Sequence, residues 1–61
     1  NPDHAEYLDT LAHCYFAAGK WKDAVEQQQR ALSLKPHHPD FQRALAKFQA
    51  KLAEAESNSA K

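Results

Sequence analysis

Shifted against itself by 34 positions, the 61-residue chain pairs Pro2 with Pro36, His4 with His38, Leu11 with Leu45 and Ala12 with Ala46. The same shift sets Glu6 beside Asp40 and Tyr7 beside Phe41. A fixed period of this length is a signature of repeat architectures. The matches fall on turn and apolar positions, where a structural repeat has to keep its residue types. Units of this kind cannot bury their apolar faces alone, so a neighbour completes each core.

Within the period the apolar residues have helical spacing. Leu8, Leu11, Ala12 and Tyr15 recur at i, i+3, i+4 and i+7 and form one stripe. This predicts a first helix over about residues 4–18, with Asp3 as N-cap, Glu6 completing the capping box and Gly19 as the stop. A second stripe runs through Trp21, Ala24, Val25, Gln28, Ala31 and Leu32, and Pro36 forbids its continuation, so a second helix is expected over about 20–34. The short Gly19-Lys20 junction leaves room only for a tight reversal, hence an antiparallel helix-turn-helix hairpin. Pro39 sits where a first-turn proline is tolerated. Phe41, Ala44, Leu45, Phe48, Leu52 and Ala55 then mark a third helix over about 39–55. Residues 57–61 are polar and unpatterned and read as a disordered tail. The expected class is all-α, with residues 1–56 as a three-helix unit.

Leu11-Ala12, Tyr15, Gly19, Trp21, Ala24, Ala31 and Pro36 stand at the spacing of the tetratricopeptide repeat, and residues 5–38 resemble one full repeat. The resemblance implies a fragment of an α-α superhelix, or solenoid. Residues 39–55 then look like either the first helix of a following repeat or a C-terminal capping helix. The lack of a hairpin partner after Lys61 favours the cap. The residue types also make sense physically: Ala12, Ala24 and Ala31 are small where helices approach closely, Tyr15 and Trp21 fill gaps, and Gly19 permits the turn. Two positions depart from the family pattern. Ala12 stands where glycine is common, and Gln28 where a large aromatic is usual. Gln28 is expected to loosen or wet the interface between the first two helices unless its amide finds a partner. The opening Asn1-Pro2-Asp3-His4 resembles the end of a preceding repeat. Preceding repeats of a parent chain are therefore expected partners, with Tyr7, Cys14 and Ala18 as the uncovered edge through which an isolated segment would self-associate or swap.

Composition excludes several function classes. Eight basic residues balance eight acidic ones at a pI near 7.1, so the positive excess that drives nucleic-acid binding is missing. No apolar run approaches the ~18 residues of a membrane span. A domain this small buries only about 60% of the surface exposed by its unfolded chain, and the single Cys14 rules out an internal disulfide. Partners are the remaining support. Nothing in the sequence assigns a compartment or implies a cofactor.

Candidate chemistry is thin. His13 and Cys14 are adjacent, so on a helix they point about 100° apart and do not form a nucleophile and base; no catalytic residue is assigned. Cys14 reads as a small buried or edge apolar residue. His4, His37 and His38 fall at one end of the predicted bundle, which makes a His-based metal module the weakest of three readings. Trp21 is expected in the core; Phe16, off the main stripe, fits either core or groove.

The strongest reading is a protein–protein interaction module. In tetratricopeptide proteins the first helix of each repeat lines the concave surface. By position this selects Glu6, Asp9, Thr10, His13, Phe16 and Ala17, and on the third helix Asp40, Arg43, Lys47 and Lys51. Arg43, Lys47 and Lys51 recur every four residues as a basic ridge, and like charges so placed are mildly unfavourable unless something acidic faces them. An Asp9/Arg43 pair across the first and third helices is one candidate for that acidic group. An acidic or C-terminal carboxylate peptide is another, held by a groove of Glu6, Asp9, His13, Phe16, Arg43, Lys47 and Lys51. The lysine, arginine and asparagine clamp of some family members is missing, because Glu6, Asp9, Thr10 and His13 occupy the first repeat. Lys22, Glu26 and Arg30 read as ordinary solubilising charge on the second helix. The rival from another class is a structural end-cap with no ligand of its own.

Overall fold

A computed structural model describes residues 4–59 and contains three helices, α1 (His4–Ala17), α2 (Trp21–Leu34) and α3 (Pro39–Ser59). The first two match the expected spans to within one residue at each end. The expected N-cap, Asp3, lies outside the described residues.

The turn after α1 follows from Gly19. Its φ is +81°, a left-handed conformation that costs other residues roughly 1–2 kcal/mol. This conformation lets Lys20 N–H reach the Tyr15 carbonyl at 2.9 Å and Gly19 N–H reach that of Phe16 at 3.1 Å, the paired bonds of a Schellman ending. At the second junction Lys35 N–H donates to the Ala31 carbonyl, and His38 N–H to that of Lys35, both at 3.1 Å. His38 then caps α3: its Nδ1 accepts the Phe41 N–H at 3.4 Å, and its ring stacks on Phe41 with centroids 3.8 Å apart. Gln42 Nε2 donates back to the Pro36 carbonyl at 2.8 Å, which closes the junction.

α3 runs past the expected end near 55 and on to Ser59, so residues 57–59 are helical and the disordered tail expected there is corrected. Glu54, Ala55 and Glu56 are good helix formers with no Gly or Pro after them to stop the helix, and the Lys51–Glu54 pair at 3.8 Å supports this turn. Polarity alone does not end a helix that has no breaker. Residues 60–61 lie outside the described set.

α2 packs on both α1 and α3. α1 buries Leu8 and Ala12 of its stripe together with Ala5, which lies outside it; α2 buries Ala24, Val25 and Ala31, and α3 Phe41 and Phe48. The alanines at 5, 12, 24 and 31 are fully covered, so small side chains stand where helix backbones approach. Ala5, Leu8, Ala31 and Phe41 form one core cluster, and Ala12, Ala24, Val25 and Phe48 the other. Gln28 is 0% exposed. Its Nε2 makes a long 3.4 Å bond to the Phe41 carbonyl, while Oε1 has no partner. The amide thus finds half of what it needs, and finds it on α3. Among the described residues no helix is long and apolar enough to cross a membrane.

Candidate functional site

α1 and α3 meet through side chains. Phe48 is 1% exposed; His13 meets it edge-on at 5.2 Å and Phe16 stacks on it at 4.5 Å. Phe16 in turn meets Trp21 edge to face at 5.0 Å. The floor between the two helices is therefore a continuous aromatic row from His13 through Phe48 and Phe16 to Trp21. Two cations lie along it. Lys47 Nζ stands 5.5 Å from the Phe16 centroid and Lys51 Nζ 5.3 Å from that of Trp21, within the range where a ring quadrupole attracts an ammonium.

Of the seven groove residues selected from the sequence, the structure brings His13, Phe16, Lys47 and Lys51 to this aromatic row. Arg43 stays on its own helix and pairs with Asp40 at 3.7 Å. Asp9 faces His13, whose Nδ1 lies 3.5 Å from its carboxylate and 2.8 Å from its backbone carbonyl. The Asp9/Arg43 pair that spacing allows does not form; each residue has a local partner instead, His13 for Asp9 and Asp40 for Arg43. An i, i+3 or i, i+4 partner is already placed by the helix, whereas a pair across helices orders two long side chains for a small exposed gain. Glu6 is exposed on the first turn of α1. The face is polarised, with Glu6, Asp9 and Asp40 near the N-terminal ends of α1 and α3 and Lys47 and Lys51 farther along.

Trp21 and Phe48 join the site without being among the groove residues that sequence position selects. Trp21 is half-buried and not core, because as the first residue of α2 it sits at the end of the bundle beside the turn. It also lines a groove of about 720 Å³ with Leu52 and Ala55, rimmed by Lys20, Lys22 and Glu56. Periodicity marks Trp21 as apolar but does not say how much chain covers it. A smaller hollow of about 290 Å³ lies between His4 and Leu8 of α1 and Arg30, Ser33 and Leu34 of α2.

The edge expected to be uncovered is open: Tyr7 is 54% exposed, and Cys14 and Ala18 are also exposed. Cys14 is accordingly an edge residue and not a buried one. His4 rests beside Tyr7 and His38 on Phe41. Among the described residues no three His, Cys, Asp or Glu side chains are grouped to hold a metal ion.

No curated protein and no solved structure matches the chain. A family profile does, the tetratricopeptide repeat, over residues 5–38. Those residues span α1, the Gly19 turn, α2 and the proline junction, so the hairpin and its punctuation fall inside the match. Taken with the three-helix fold and the 34-residue internal period, that match, over more than half of the sequence, places this chain in the tetratricopeptide repeat family.

Proposed function

We propose that the chain is a protein-interaction segment that holds a peptide or protein partner on the α1/α3 face, with Phe16, Lys47 and Lys51 at its centre and His13, Asp9, Glu6 and Arg43 around them. The observation that carries this reading is the aromatic row with two ammonium groups over it. Aromatic groups anchor partners through area and fixed geometry, and Lys47 has no ion-pair partner among the described residues. Repeats of this family generally mediate protein–protein interaction. Stacking of a preceding unit on the Tyr7, Cys14 and Ala18 edge belongs to the same reading.

Selection of a displayed peptide library on the immobilised chain tests it. Enriched peptides should lose binding to the Lys47→Gln/Lys51→Gln double variant while its cooperative helical melt is retained. Equal binding to both proteins sinks the face.

A second reading, the closing helix of an array, has its own observation. Gln42, Ala46 and Gln49 of α3 stand 34 residues after Leu8, Ala12 and Tyr15. In α1 that row packs on α2; in α3 all three are exposed, and two are polar. A helix built this way asks for no further neighbour.

A further inference from the structure

Arg43, Lys47 and Lys51 recur every four residues on α3, so at 1.5 Å rise per residue their stems stand about 6 Å apart. The helix neutralises both ends of this row itself, through Asp40–Arg43 at 3.7 Å and Lys51–Glu54 at 3.8 Å. Lys47 is left in the middle. Lys47 and Lys51 are also held from below, over Phe16 and Trp21, whose centroids are 5.0 Å apart. Helix rise therefore spaces the two lysine stems, and each ammonium group lies over a ring of its own on the aromatic floor.

That interval has a natural counterpart. In an extended peptide, side chains on one face recur every second residue, about 6.6 Å apart, while adjacent side chains point to opposite faces. We propose that Lys47 and Lys51 together read an acid-any-acid motif, two carboxylates separated by one residue in an extended segment of a partner protein. The inference rests on the α1/α3 face being the interaction surface. It adds a spacing rule to that reading. Adjacent acids, like acids three positions apart, present only one carboxylate to the row, and acids four positions apart in an extended chain overshoot it by about 7 Å. Glu54 occupies Lys51 in the free chain. Both side chains are substantially exposed (67% and 42%), and such pairs are weak enough to exchange. Glu54 is then an internal competitor for the second acid.

The full chain can be titrated with labelled eight-residue peptides that carry two glutamates adjacent, or separated by one, two or three residues, at constant composition. Anisotropy follows the peptide, and the emission of Trp21, the single tryptophan, follows the site. The one-residue separation should bind about 5-fold or more tightly than the adjacent pair, as two seated carboxylates outbind one. Lys47→Gln or Lys51→Gln should each erase that preference without changing helicity, and Glu54→Gln should tighten binding about 2-fold. Equal affinity across spacings overturns the motif but leaves the interaction face standing. So does a preference that survives both lysine variants. Tightest binding at the three-residue separation, the interval of a helical partner, also overturns it. If no peptide binds at any spacing, the reading of the face fails and takes this inference with it.

Discussion

α1 and α3 are two versions of one helix. Tyr7, Leu11 and Cys14 on the first, with Ala18 just past its end, correspond, 34 residues on, to Phe41, Leu45, Phe48 and Leu52 on the second. On α3 this row faces α2, with Phe41 and Phe48 buried and both leucines packed against the Phe48 cluster. In the first copy three of the four positions are exposed. The neighbouring row, about 100° around the helix, is reversed: Ala5, Leu8 and Ala12 are buried on α1, whereas Pro39, Gln42 and Ala46 are exposed on α3. Each helix spends its apolar residues on a different side of the same frame. Toward the C-terminal end of the row side-chain size follows cover, for where the first copy has Cys14 and Ala18, α3 has Phe48 and Leu52, while Tyr7 keeps its bulk though exposed. The fold is thus specified twice, once by the period and once by which row carries bulk.

The sharpest way to break the comparison is to truncate equivalent positions. Phe48→Ala removes a fully buried ring from the α1/α3 floor and from the α2 interface, and such changes cost about 3–5 kcal/mol. A chain this small rarely has more than that in total, so Phe48→Ala should abolish the cooperative melt followed by circular dichroism. Cys14→Ala, at the matching point of α1, should move stability by less than about 0.5 kcal/mol because nothing covers it. If both variants melt alike, side-chain size does not follow cover.

Gln28 tests the α2 side of α3. Its Oε1 is buried without a partner, and such an atom costs about 1–3 kcal/mol. Gln28→Leu keeps most of the volume, removes the orphan and forgoes only the long bond to the Phe41 carbonyl. It should raise stability by about 1–2 kcal/mol, which at this length is roughly 4–8 °C or more in melting temperature. Gly19→Ala should go the other way, losing about 1–2 kcal/mol. A Cβ there meets only the edge of the Trp21 ring, at 3.9 Å, so the loss comes from the left-handed φ and not from crowding.

Much of this fold is legible in the amino-acid sequence. Gly19 and Pro36 punctuate the helices by backbone chemistry alone, and the stripes of α1 and α2 name three of the four buried alanines, Ala12, Ala24 and Ala31, because period and size agree. Three things are not legible, each for a physical reason. The end of α3 carries no breaker, so composition misplaces it. The cover over Trp21 depends on where the bundle ends, which periodicity does not report. The partners of Asp9 and Arg43 are chosen by competition between a cross-helix pair and local ones, and spacing alone allows both. In the candidate site, the row of cations can be read from its four-residue interval. The aromatic floor beneath it cannot, since Phe16, Trp21 and Phe48 come from three different helices.

The smallest expected effect concerns the row that α3 leaves polar. Gln42→Leu with Gln49→Tyr gives α3 the residues that α1 uses to bury itself on α2, namely Leu8 and Tyr15. In the monomer both positions stay exposed, so the melt should shift by less than about 0.5 kcal/mol beyond the loss of the Gln42 bond to Pro36. Association is where the change should register. A new apolar row on one side of the molecule and the open Tyr7 edge on the other are different patches, and contacts between unlike patches propagate head to tail without closing. Sedimentation should therefore detect concentration-dependent oligomers in the double variant and fewer in the parent chain. If the variant sediments as the parent does, the polarity of Gln42 and Gln49 has no part in limiting how this chain stacks, and the end-cap reading loses the observation that favours it.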